Sequence, residues 1–222
     1  LEADVSGSSF PPPGTQHFFL RRMYLTLRTG LARNWGALFT YDFAAGGYDD
    51  AIIEWNPLNE LKFDFGLRKV NVGYEERASS GNLRSIERSG VTRYFVEPNN
   101  GRRLGAASHH IGVFVDGSRP INKTLGLIWG AALTGPARTE TFTLASSAGD
   151  ATNNRPALWG NIGLVRKLPN NGAWAVGGGV GLLPDQGGFG TANLGRGFDL
   201  RIYSAYTDVT TGRFGLMAEY LT

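Results

Sequence analysis

The 222-residue chain holds 22 Lys and Arg against 19 Asp and Glu, a formal net charge of +3, with 41% hydrophobic and 18% charged residues. That near-balance gives no electrostatic footprint for nucleic acid, and no run of 18 apolar residues supplies a transmembrane helix. The absence of cysteine removes disulfide scaffolds and Cys-based metal or redox sites.

Alternation with period two, the mark of strands, runs through most of the chain. It predicts ten strands, at about 18–29, 34–43, 48–55, 61–68, 108–116, 124–133, 157–166, 173–183, 198–207 and 213–221. In the first, Met23, Leu25 and Leu27 point one way and Arg22, Tyr24, Thr26 and Arg28 the other. The second sets Trp35, Ala37, Phe39, Tyr41 and Phe43 against Gly36, Thr40 and Asp42; the third sets Ala51, Ile53 and Trp55 against Asp50 and Glu54. The fourth sets Leu61, Phe63, Phe65 and Leu67 against Lys62, Asp64 and Arg68. Aromatic-rich faces opposed by faces of mixed full charges are the pattern of a membrane barrel with a wet lumen. In the eighth strand Trp174, Val176, Gly178, Val180 and Leu182 oppose Ala175, Gly177, Gly179 and Gly181, a face suited to line a lumen, where glycine leaves pore space, or to pack against another subunit. The ninth reads with Leu200, Ile202 and Tyr206 on the apolar face against Asp199, Arg201, Tyr203 and Thr207. The tenth sets Phe214, Leu216, Ala218 and Tyr220 against Met217 and Glu219.

Connections alternate in length. Those at 30–33, 56–60, 117–123, 168–172 and 208–212 are short, and longer ones lie at 69–107, 134–156 and 184–197. Outer-membrane barrels keep short turns at the periplasmic end and longer loops outside, so the first strand descends. A barrel normally begins at the periplasm, so at least one further strand is expected before residue 18. On this reading residues 1–222 form one barrel domain that is incomplete.

The 39 residues from Lys69 to Ala107 are too many for a hairpin and mark a functional loop. They carry Lys69, Arg77, Arg84, Arg88, Arg93, Arg102 and Arg103 against Glu75, Glu76, Glu87 and Glu97. Ser79 or Ser80 is placed to cap a short helix over Asn82 to Arg88, with Arg84 and Arg88 four residues apart on one face. Folded into the barrel, this loop brings its arginines to meet Arg22, Arg28, Lys62 and Arg68 on the wall. Guanidinium and ammonium groups lining a constriction are the expected filter for anions or phosphate.

The segments RRMYLTL (Arg21 to Leu27), YDFA (Tyr41 to Ala44), DDAIIEW (Asp49 to Trp55), FGLRKVNVGYEERASSGNL (Phe65 to Leu83) and IERSGVTRYF (Ile86 to Phe95) resemble the phosphate-selective porin O and P family of bacterial outer membranes. The resemblance covers the first half of the chain. It implies an all-β, transmembrane antiparallel barrel of sixteen strands, trimeric, with a long third loop folded into the pore as a constriction, and hence several further strands after residue 222. Arg22 stands in the family's RR motif, Glu75 in GYEE, and Arg84, Glu87 and Arg88 in or beside ERS.

The expected function is passive diffusion of small hydrophilic solutes across the outer membrane, with a preference for anions such as phosphate, through a homotrimer set in outer-membrane lipid. Arg22, Arg28, Lys62 and Arg68 on the wall and Arg77, Arg84 and Arg88 in the loop form the anion path, with Asp50, Asp64, Glu75 and Glu87 as counter-charges. The plain alternative for the loop arginines is pairing with Glu75, Glu76 and Glu87 to pin the loop. His109 and His110 read as lumen or rim residues, since a third metal ligand at useful spacing is lacking. No catalytic step, cofactor, metal or nucleic-acid partner is expected. A barrel-type enzyme needs a nucleophile with tuned partners, which the three histidines do not provide. A structural envelope protein with a loop-blocked pore is the other reading. Three of the five tryptophans fall near strand ends on the apolar face, where an aromatic girdle sits.

Overall fold

The computed structural model describes residues 22–44, 46–78, 88–95, 109–135, 156–184 and 199–222. Ten strands follow in order: β1 (Tyr24–Ala32), β2 (Trp35–Asp42), β3 (Gly47–Leu58), β4 (Leu61–Lys69), β5 (His109–Pro120), β6 (Leu125–Thr134), β7 (Ala157–Leu168), β8 (Gly172–Leu183), β9 (Leu200–Thr211) and β10 (Phe214–Leu221). Two short helices, α1 (Tyr74–Arg77) and α2 (Gly90–Phe95), lie between β4 and β5. Every strand pairs antiparallel with its sequence neighbour in one sheet, ordered β1 to β10. Among the described residues the sheet is not closed, since β1 pairs only with β2 and β10 only with β9.

All ten expected strands are present. The first begins at Tyr24 among the described residues and runs on to Ala32, so Arg22 falls just ahead of it. The short turns are set by local chemistry. Between β7 and β8, Asn170 and Asn171 both take positive φ, at 56° and 57°, and Gly172 N–H donates to Pro169 O at 3.1 Å. Two left-handed residues in succession make the tight hairpin whose twist matches the strands, and asparagine tolerates them.

Burial is inverted relative to a soluble sandwich. Leu27, Phe39, Ile53, Leu133, Ile162, Leu216 and Phe214, the last 82% exposed, stand out from the convex face, while Thr40, Asp42, Glu54 and Asp64 are buried on the concave one. Two aromatic clusters mark the ends of the apolar band. Near the short turns, Trp35 stacks on Trp55 at 5.7 Å and Trp55 on Phe63 at 5.1 Å; near the longer loops, Tyr41 meets Phe43 and Tyr48 edge-on. Six residues separate Trp35 from Tyr41 on β2, about 20 Å of strand, close to the height of an outer-membrane hydrocarbon band.

Two details of the strand reading are corrected. On β9 the apolar set points inward: Ile202 and Tyr206 are buried, and Arg201 and Tyr203 face outward. Pairing decides this, because Val176↔Thr207 and Val180↔Tyr203 fix the register, and a residue's face follows from register rather than polarity. The concave glycines of β8 are not open pore space either. A Cβ on Gly177 would lie 2.8 Å from Tyr206 Oη, one on Gly179 3.1 Å from Asn71 O, and one on Gly181 would overlap Trp159. Glycine is required there because the chain that follows β4 and the large side chains of β7 and β9 press against the wall. Trp159 itself is a core residue, donating from Nε1 to Thr134 Oγ1 at 2.9 Å.

Candidate functional site

The charged face of β1 to β5 assembles into one connected ladder, because alternate residues of neighbouring strands meet side by side. Arg28 Nη2 donates to Glu54 Oε1 at 3.0 Å, and Lys62 Nζ contacts the same oxygen at 2.9 Å and Asp64 Oδ2 at 3.2 Å. Asp64 also accepts from Arg68, whose Nη1 bonds Asp116 Oδ2 at 2.6 Å and whose Nη2 donates to Asn71 Oδ1 at 3.0 Å. Asn71 closes the ladder by donating to Asp116. The Arg68 guanidinium lies over the Phe114 ring, 4.8 Å from its centroid. Exposure grades along the ladder: the Arg28 side chain is 64% exposed, Lys62 35%, Arg68 14% and Asp64 1%. Arg28 and Lys62 are therefore the cations that water reaches, and Arg68 is sequestered among its acids.

Residues 70–78 cross the concave face. Val70 and Val72 join Phe114, Ala132, Trp159, Leu183, Ile202 and Leu221 in an apolar cluster that anchors the crossing segment. Gly73 then turns the chain with φ +84°, a left-handed conformation that favours glycine. On the far side Glu219 of β10 accepts hydrogen bonds from the backbone N–H groups of Tyr74 and Glu75, the latter at 3.0 Å, satisfying donors at the start of α1. Tyr74 stacks on Tyr206, ring centroids 4.1 Å apart, and its hydroxyl donates to Asp208 Oδ2 at 2.8 Å. Burial first, and then the bond to Asp208, push the Tyr74 phenol up to about 12.

The loop's acids hold it together. Glu76 takes Lys69 at 3.1 Å and Arg88 Nε at 2.9 Å, while Arg88 Nη2 also donates to the carbonyls of Glu76 and Ala78. Glu75 accepts from Ser89 N–H at 3.0 Å and Thr92 Oγ1 at 2.7 Å, and Ser89 Oγ accepts from Thr92 N–H at the start of α2. The two short helices are thus clamped to each other.

Of the residues singled out from sequence, Lys62, Asp64 and Arg68 are brought together, and Arg28 joins them through Glu54. Arg22 is half-buried ahead of β1, within electrostatic reach of Asp49. Asp50 is half-buried beside Asp49, where a register shift interrupts the β2–β3 pairing. Arg77 is exposed on α1, and Glu75 and Arg88 act inside the loop. Arg84, Glu87 and all but the last residue of the helix expected over 82–88 lie outside the described residues. His110 tilts against Trp159 at 4.9 Å, and His109 Nε2 lies 3.2 Å from Asp49. Asp116 continues the alternation of β5 and was legible in principle, and Glu219 stood on the polar face of the tenth strand without a partner to give it a role; the bonds of Asn71 to Asp116, of Tyr74 to Asp208 and of Glu219 to Tyr74 had no local signal, since they join residues 45 to 145 apart.

A family model described as phosphate-selective porin O and P matches residues 3–143, well over half of the chain. No curated protein matches it.

Proposed function

The chain belongs to the phosphate-selective porin O and P family, and from that membership we propose that it forms an outer-membrane diffusion channel for small hydrophilic solutes, with a preference for anions such as phosphate. The observation that carries this reading is the inverted burial: an apolar, aromatic-banded convex face against a concave face of connected charges, with the chain after β4 folded across it. Such a face suits a wet lumen. The unpaired edges of β1 and β10 would be closed by further strands, and the barrel would assemble as a homotrimer in outer-membrane lipid.

Transit would run past Arg28 and Lys62, the two accessible cations of the wall, with Arg22, Arg77 and Arg84 adding positive charge around the loop. Arg68 and Arg88 serve chiefly as pins, the first joining β4 to β5 and Asn71, the second closing the loop on itself. Asp64 balances and orients Lys62 and Arg68, with Asp50 adding negative charge near Lys69 and Arg68, while Glu75 holds the loop together through Ser89 and Thr92. No covalent step and no cofactor enters. The test is reconstitution in planar bilayers under a salt gradient: the wild type should conduct with reversal potential on the anion side, and Arg28→Gln with Lys62→Gln should shift it toward cations. A protein that inserts without conducting would favour the structural reading, a barrel blocked by its own loop.

A further inference from the structure

Cations gather at the end of the sheet that carries the short turns. Arg33, Lys123 and Arg213 lie in the turns themselves, and Arg119, Arg166 and Lys167 end or flank the adjoining strands. All six are exposed, and among the described residues none of these side chains has an ion-pair or hydrogen-bond partner. The residues between the paired strands at these five turns, 33–34, 59–60, 121–124, 169–171 and 212–213, contain one acid, Glu60.

Two of the six point away from the lumen. Register pairs Arg119 of β5 with Leu127 of β6, and Arg166 of β7 with Leu125 of β6, so both arginines share the convex face with the apolar residues. They flank β6 on either side, two strand spacings across and two residues along, about 12 Å apart, within the combined reach of two arginine side chains. Trp174, also on the convex face, pairs directly with Arg166. An outward tryptophan at a strand end marks headgroup depth. Lys123 lies exposed in the turn joining β5 to β6, and that turn is tied by hydrogen bonds. Asn122 Oδ1 accepts from the N–H groups of Thr124 and Leu125, both at 2.9 Å, and Lys167 N–H donates to Thr124 O at 2.7 Å, tying β7 to the same turn.

We propose that Arg119 and Arg166, with Lys123 between them, clasp the phosphodiester headgroup of an anionic phospholipid in the leaflet at the short-turn end. Guanidinium groups match phosphate oxygens in bidentate geometry, and an outward position at the turn-side edge of the apolar face, level with Trp174, lets the long side chains reach the depth of the phosphates. A solute in the lumen does not fit this face, because the two arginines lie across the wall from the Arg28–Asp116 ladder.

The test uses the folded protein in mixed micelles of phosphatidylglycerol and phosphatidylcholine with identical acyl chains, counting retained lipids by native mass spectrometry. The wild type should retain phosphatidylglycerol about tenfold over phosphatidylcholine, and Arg119→Gln with Arg166→Gln should bring the two near parity. Arg201→Gln, outward-facing at the opposite end, should leave the preference unchanged. Equal retention by the wild type, or an unchanged preference in the double variant, overturns the clasp. Displacement of the lipid by about 10 mM inorganic phosphate also overturns it, in favour of a free-anion site. If the double variant does not fold, raising salt from about 0.1 M to about 1 M must erase the wild-type preference, and persistence refutes the proposal. The clasp rests on the barrel reading; failure of that reading shows as a protein that inserts into no bilayer, whereas failure of the clasp leaves insertion and conductance intact.

Discussion

Replacing Glu54 with Gln should make the channel more anion-selective, although no residue that touches bulk water is changed. The ladder on β1 to β5 contains three cations, Arg28, Lys62 and Arg68, and three anions, Glu54, Asp64 and Asp116, so the wall as built is charge-neutral. Glu54 is the acid shared by the two accessible cations, Arg28 at 3.0 Å and Lys62 at 2.9 Å. Glutamine preserves its shape and removes one negative charge, leaving a net +1 on that wall. A unit charge acting on an ion about 7 Å away in a water-like medium contributes about 0.6 kcal/mol, and screening at 0.1 M salt cuts this to about 0.3 kcal/mol. The sign is opposite for anion and cation, so the permeability ratio moves by about 0.6 kcal/mol, roughly threefold toward anions. The assay is the reversal potential in a salt gradient across a planar bilayer. At about 1 M salt, where the screening length falls to about 3 Å, the difference from wild type should nearly vanish. An unchanged reversal potential at low salt, or a shift toward cations, refutes the placement of the ladder beside the ion path.

Glu219→Ala removes the acceptor for the N–H groups of Tyr74 and Glu75, which ties the crossing segment to β10. Two charge-assisted bonds of this kind contribute about 1.5–3 kcal/mol each at most; the expected outcomes are a lower unfolding midpoint and a larger, noisier single-channel conductance, and a conductance identical to wild type counts against the latch. Tyr74 gives a pH test. Its folded pKa of about 12 lies above the ordinary tyrosine value of 10, so its contribution to docking is fully present below pH 10 and is lost as pH rises through 12. Conductance should step over that window in the wild type and not in Tyr74→Phe.

The sequence by itself determined the strands, the alternation of short turns and long loops, and the charged face of the first four strands, because each depends only on periods and turn residues within ten or so positions. It also supplied Arg28, Lys62, Asp64 and Arg68 as a wall group, since alternation places them on one face whatever the partner. Tertiary structure decided the rest. Register turned Ile202 and Tyr206 inward against the expectation from their polarity; Tyr206 then filled the space beside Gly177, Trp159 and Ile202 that beside Gly181, and the chain after β4 came up against Gly179. Which acid each cation meets, and that Glu219 reaches back 144 residues to hold Glu75, depends on how the sheet curls and where the loop lands. Those contacts are long-range in the chain and short-range in space, so no local pattern encodes them.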